Sequence, residues 1–169
     1  DEFLMKQKRK ENEYKENEIY YKATAPQDYN DIEKVYNFAM KEYNGYNTTR
    51  DKYNSFKNFR IAAEKGHIDS MAKCAKMHIF DEIGRNISID EILNYVKTAV
   101  KEGNSDAMYV YAHMLKNGIG VSTDIDESIR YYKMAIEKGN DGAMTDYGEI
   151  LQNGEIVEKD INEAIRLYK

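Results

Sequence analysis

Between Asp106 and Leu115 the apolar residues Ala107, Met108, Tyr111, Ala112 and Leu115 stand at i, i+1, i+4, i+5 and i+8. That spacing puts them on one face of an α-helix. The stretch LKNGIGVS follows at residues 115–122, with Gly118 and Gly120 one residue apart and Val121 behind them. Glycine weakens a helix, and valine is half out of place in a loop. Such a stretch needs a reason, and its recurrence supplies one.

Three segments align: EKGHIDSM, KEGNSDAM and EKGNDGAM, whose glycines Gly66, Gly103 and Gly139 are 37 and 36 positions apart. An alanine stands four residues before each, at Ala62, Ala99 and Ala135. Capping boxes recur independently at Ser88-x-x-Glu91, Asp124-x-x-Glu127 and Asp160-x-x-Glu163, spaced by 36 and 36, with a weaker Asp51-x-x-Asn54 before them. In such a box the first side chain accepts from the N3 amide and the acid reaches back to the cap amide. Helix starts and stops therefore share one period, and each unit reads as two helices. Helix A ends at a loop; helix B begins at a box and ends at a glycine suited to the left-handed C′ position. The polar residues after that glycine (His67, Asp69; Asn104, Ser105; Asn140, Asp141) can cap the next helix A. In LKNGIGVS, Gly118 closes helix A, Gly120 lets the backbone fold back, and Val121 plugs the gap beneath the helix pair. The second unit deviates, with one extra residue in FDEIGRNIS and a displaced Gly84.

The segment from Ala107 to Gly139, AMYVYAHMLKNGIGVSTDIDESIRYYKMAIEKG, resembles the Sel-1-like repeat, a cousin of the tetratricopeptide repeat. Tyr147-Gly148 stands at the family's Leu-Gly pair, Asp124 and Asp160 at its loop aspartate, and Phe59, Tyr132 and Tyr168 at its helix B aromatic. Ala39, Ala75 and Ala112 replace the helix A glycine with another small residue. The resemblance covers residues 30 to 169. It implies an all-α fold, a right-handed α-α superhelix (solenoid) of about four antiparallel two-helix repeats. The expected division is a charged helical extension or degenerate cap at 1–29, then repeats at 30–66, 67–103, 104–139 and 140–169, the last truncated in helix B.

Composition agrees with a helical array: 169 residues, one proline, no tryptophan, 33% charged. A net charge of −5, spread along the chain, argues against nucleic acid as a partner. No apolar run is long enough to span a bilayer, and the opening DEFLMKQKRKENEY has no signal-like apolar core. The lone Cys74 excludes an internal disulfide. A cytoplasmic protein is expected, with a nuclear alternative through the basic cluster Lys6, Lys8, Arg9 and Lys10. The sequons at Asn47 and Asn86 carry little weight without a secretory signal. The chain opens without methionine and stops within an apparent helix at RLYK, which reads as part of a larger protein.

Catalytic chemistry finds no foothold. His67, His78 and His113 fall in different units, and Cys74 with His78 makes only a two-ligand set where structural zinc takes four donors, so both are expected to pack. There is no Gly-x-Ser-x-Gly, and Gly118-x-Gly120 has neither a preceding strand nor a third glycine. The acidic pairs Asp90-Glu91 and Asp126-Glu127 sit at helix starts, where they complement the helix dipole. No cofactor, metal or catalytic residue is expected.

What is left is surface. The resemblance implies that the helix A row lines the concave side. Residues off its apolar face are Tyr36, Asn37 and Met40, then Lys73 and Lys76, then Tyr109, His113 and Lys116, then Thr145, Glu149 and Gln152. This mix of aromatics, amides and charges suits a peptide or protein ligand. The expected function is a non-catalytic adaptor or scaffold. The alternatives are the targeting or regulatory arm of a larger enzyme such as a kinase, and an adaptor linked to nuclear import. An exposed terminal repeat or the N-terminal helix also admits a homodimer.

Overall fold

The computed structural model describes residues 28–45, 52–81, 83, 84 and 86–168, with the isolated positions 5 and 26. The extension at 1–29, apart from Met5, Pro26, Asp28 and Tyr29, lies outside the described residues. So do its basic cluster Lys6, Lys8, Arg9 and Lys10, the Asn47 sequon and Asp51.

Among the described residues there are eight helices and no strand: α1 Ile32–Asn44, α2 Lys52–Glu64, α3 Ile68–Phe80, α4 Ile89–Lys101, α5 Ser105–Asn117, α6 Ile125–Glu137, α7 Asp141–Asn153 and α8 Ile161–Leu167. Consecutive helices pack along the whole series, and α3 also packs on α5. The odd-numbered helices are the A helices and the even-numbered ones the B helices of an all-α repeat superhelix.

Each B-to-A junction is closed by the same hydrogen bonds. After α2, the Gly66 amide donates to the Ala63 carbonyl and the His67 amide to that of Ala62. Gly103 and Asn104 do the same after α4, and Gly139 and Asn140 after α6. This is the Schellman pattern, and it explains the alanine four residues before each glycine: Ala62, Ala99 and Ala135 supply the carbonyl that takes the second bond. The residue after the glycine then caps the next helix. His67 Nδ1, Asn104 Oδ1 and Asn140 Oδ1 accept from the amides of Ser70, Ala107 and Ala143.

The same capping side chains reach back to the preceding unit. Asn104 Nδ2 donates to Asp69 at 2.8 Å, and Asn140 Nδ2 to Asp106 at 2.9 Å. His67 Nε2 stands 3.4 Å from Glu33. Each acid is the second residue of its helix, so the contacts form rungs between successive A helices. In α7 the second residue is Gly142, and a Cβ there would lie 2.7 Å from the Tyr109 ring.

The B helices begin as the boxes require: Ser88, Asp124 and Asp160 accept from the amides of Glu91, Glu127 and Glu163. The glutamates differ from the expectation. Instead of reaching back to the cap amide, Glu127 and Glu163 pair with Arg130 and Arg166 three residues on, and Glu91 takes Tyr95 Oη. An arginine one helical turn away outcompetes a neutral amide for a carboxylate.

Gly118 closes α5 in the left-handed region, its amide donating to the Met114 carbonyl. Gly120 has φ 67°, and a Cβ there would meet Ile89 Cγ1 of the preceding B helix at 2.8 Å. Val121 packs against the buried cluster that holds Val110 and Met114. In the second unit Asp81 takes the place of Gly118 without the left-handed turn, and one further residue follows. Gly84 then lies over the Phe56 ring as Gly120 lies over Ile89. The displaced glycine keeps its role.

The eighth residue of every A helix is small, and eight residues into the B segments stand Phe59, Val96, Tyr132 and Tyr168. Ala39 and Ala75 share a cluster with Phe59 and Val96, and Ala112 shares one with Tyr132. Gly148 abuts the Tyr168 ring. Ser128 Oγ donates to the Ala112 carbonyl at 2.7 Å, tying α6 to α5.

The rungs make a testable claim about stability. Asn140 is buried, so Asn140→Ala loses both cap and rung and is expected to destabilise by about 1–3 kcal/mol in chemical denaturation. Asn140→Asp keeps the cap acceptor but sets a carboxylate against Asp106, and is expected to melt below the wild type. Equal melting of Asn140→Asp and wild type would show the rung to be energetically idle.

Candidate binding surface on the A helices

Helices α1, α3, α5 and α7 each span thirteen residues, so their side chains can be compared position by position. The second, fifth, sixth, ninth and thirteenth positions of a helix share one face. Along that face each A helix meets the next.

The densest part lies between α3, α5 and α7. Lys73 Nζ donates to one oxygen of Asp106 at 2.9 Å, and Lys76 Nζ to the other at 3.1 Å. Asn140 adds the rung already described, so one carboxylate ties three units together. Burial alone would raise the Asp106 carboxyl, but the charges and hydrogen bonds of Lys73 and Lys76 outweigh it and hold the group below the usual aspartate range. Phe80, the last residue of α3, stacks on Tyr109 with ring centroids 4.9 Å apart and planes 6° from parallel. It also meets the His113 ring edge-on at 4.7 Å. Lys76 Nζ stands 5.9 Å from the centre of the Tyr109 ring. On the far side, Asp146 of α7 lies 3.8 Å from His113 Nδ1 and accepts from Tyr132 Oη at 3.5 Å. Burial, and then the Asp146 charge, push the hydroxyls of Tyr109 and Tyr132 well above the ordinary tyrosine range. Both stay neutral donors.

The expected site residues sort as follows. Lys73, Lys76, Tyr109 and His113 come together in this network. Tyr36 adjoins it, its ring 4.5 Å from that of His67. Tyr109, taken from the sequence as a surface residue, is only 7% exposed, because Phe80 covers one side and Gly142 admits it closely on another. Asn37 and Glu149 are exposed, Lys116 is half-buried, and Met40 packs against the core. Thr145 turns its hydroxyl back to the Asp141 carbonyl, and Gln152 accepts from Tyr168 Oη of α8.

Five participants are missing from the expected site residues: Phe80, Asp106, Tyr132, Asn140 and Asp146. Phe80 had a readable signal. The thirteenth position is Asn44, Asn117 and Asn153 in the other A helices, and phenylalanine appears only in α3, 36% exposed.

Cys74 and His78 take packing roles. Cys74 is fully buried, burial pushes its thiol up, and His78 Nδ1 bonds the Gly84 carbonyl at 3.2 Å. No group of three or more metal-binding side chains occurs among the described residues, and no helix among them is long and apolar enough to cross a membrane.

Stacked helix pairs with a continuous A face define a helical repeat protein of the tetratricopeptide-like kind. The Sel1 repeat model matches residues 36–67, 105–140 and 142–169, and the chain belongs to the Sel1 repeat family. The gap in the match falls on the unit with the longer loop, which nevertheless forms both of its helices. Among solved structures, the chain is similar to a Sel1 repeat protein from Oxalobacter formigenes, with 23% identity, TM-score 0.64, 89% of this chain and 60% of that one. It is also similar to a protective antigen with an SLR fold from uropathogenic Escherichia coli, with 23% identity, TM-score 0.60, 82% of this chain and 29% of that one. The chain thus spans less than two thirds of either neighbour. A search of the curated proteins finds no match.

The pH dependence of Asp106 follows from its environment. Its folded carboxyl is easier to ionise than its unfolded one, so its contribution is complete above the ordinary aspartate pKa of about 4 and disappears as pH falls through the lower folded value. Wild type is expected to be more stable than Asp106→Asn at neutral pH, with the gap closing below about pH 4. Urea titrations of both proteins across that range check it. A pH-independent gap would show that the charge is not what matters.

Proposed function

We propose that this chain is a non-catalytic adaptor that holds a partner protein or peptide on the face formed by its A helices. Sel1 repeat proteins are generally protein-interaction modules. The observation that carries the reading to this face is its continuity: charged, aromatic and amide side chains run without a break from α3 across α5 to α7. Lys73, Lys76, Tyr109 and His113 are held by Asp106, Phe80 and Asp146, so a ligand would meet a largely ordered template and little affinity would be lost in ordering it. We place the protein in a reducing compartment such as the cytoplasm, since its one cysteine is a core residue.

Selection of a displayed random peptide library on the full chain tests the reading. His113→Ala is expected to weaken the selected peptides by about tenfold or more. Asn94→Ala and Lys97→Ala, exposed on helix α4, are expected to leave binding unchanged. Loss of binding on the α4 variants, with none on His113→Ala, would move the binding face to the B helices.

A further inference from the structure

The face described above changes sign from one end to the other. At the sixth and ninth positions, α3 carries Lys73 and Lys76, α5 carries Val110 and His113, and α7 carries Asp146 and Glu149. The two lysines share the single carboxylate of Asp106, whose remaining contact is the neutral Asn140, so these three side chains keep one positive charge in excess; the exposed Asp69, one turn before Lys73 on the same face, gives its carboxylate to Asn104 Nδ2. At the α7 end Glu149 is exposed and forms no ion pair among the described residues, and Asp146 has the His113 ring at 3.8 Å. One turn after Lys76 comes Phe80, its ring laid onto α5 and more than a third exposed where the other A helices end in asparagine. Its stack on Tyr109 and edge contact with His113 make a rigid apolar platform.

We propose that the ligand of this face is an extended segment of a partner protein bearing an acidic, then an apolar, then a basic side chain, laid across α3, α5 and α7 in that order. The inference rests on the A face being the binding face. The acidic group meets Lys73 and Lys76, the apolar one covers Phe80, and the basic one meets Glu149 and Asp146. Packed helices lie about 8–10 Å apart, so α3 and α7 are on the order of 20 Å apart. An extended chain rises about 3.3 Å per residue. The acidic and basic groups are therefore separated by roughly five or six residues, with the apolar one between them and nearer the acidic one.

The library selection on the full chain reads this out directly. The expected consensus has the acid–apolar–base composition at that spacing. Phe80→Asn, the residue found in the other three units, is expected to cost about tenfold in affinity. Glu149→Lys alters an exposed side chain and is expected to weaken peptides that carry the basic group, while leaving truncated peptides without it unaffected. Lys76→Gln is expected to weaken binding and to flatten its dependence on salt. Melting curves of each variant separate lost binding from lost folding, and Glu149→Lys stands as the test should either of the others unfold. Peptides that lose binding on His113→Ala yet show no such order, or that bind Phe80→Asn and Glu149→Lys as well as wild type, would overturn this inference and leave the binding face intact. Peptides indifferent to every A-face variant would overturn both.

Discussion

The array depends on the junction at which one helix B ends and the next helix A begins. Two neighbouring residues do most of the work there. The glycine turns the chain through the left-handed region, and the residue after it closes the Schellman bond with its amide, caps the new helix with its side chain and reaches back to the previous unit. Asn104 and Asn140 can do all three because an amide side chain offers an acceptor and a donor at once. Aspartate or serine would cap as well, but aspartate would face a carboxylate across the rung. The spacing between successive A helices is thus pinned at their N-terminal ends by a hydrogen bond and farther along by side-chain packing.

Much of this was legible from the residues. Glycines and boxes with a common period located the helices, because caps and left-handed turns are local chemistry that a few neighbouring residues determine. The rungs were less visible. His67-x-Asp69 and Asn104-x-Asp106 repeat in register, but a bond between residues 34 or 35 positions apart appears only once the units are stacked. Tyr109 was read as surface because helical periodicity describes one helix at a time. Its burial comes from Phe80 on one neighbour and from the missing side chain of Gly142 on the other. The reverse capping bonds went unmade for a similar reason: the box motif does not register the arginines three residues after Glu127 and Glu163.

The second unit shows what the array tolerates. It has lost the left-handed glycine at the end of its A helix and gained a residue in its loop, and it lies outside the family match. Both helices persist: Val96, fully buried in the cluster that holds Ala75, stands where the other units have an aromatic ring, and Gly84 still admits the preceding helix. Loop length costs little, whereas the close glycine is a steric requirement with few solutions. In a stacked array each unit answers mainly to its neighbours, so such a departure stays local. It is also this unit that carries Phe80.

Stability and the proposed recognition meet in Asp106. Its carboxylate receives the rung from Asn140 and both lysines of α3, which makes it a structural tie, yet it also sets how much of the charge of Lys73 and Lys76 is left over. With one carboxylate between two lysines the charge is halved rather than cancelled, and the lysines are held in place instead of sampling solvent. A fixed, partly neutralised pair costs less to desolvate on contact than two free ammonium groups and keeps a direction for an incoming acid. The link that aligns the A helices is therefore also the one that orients the charge a partner would meet.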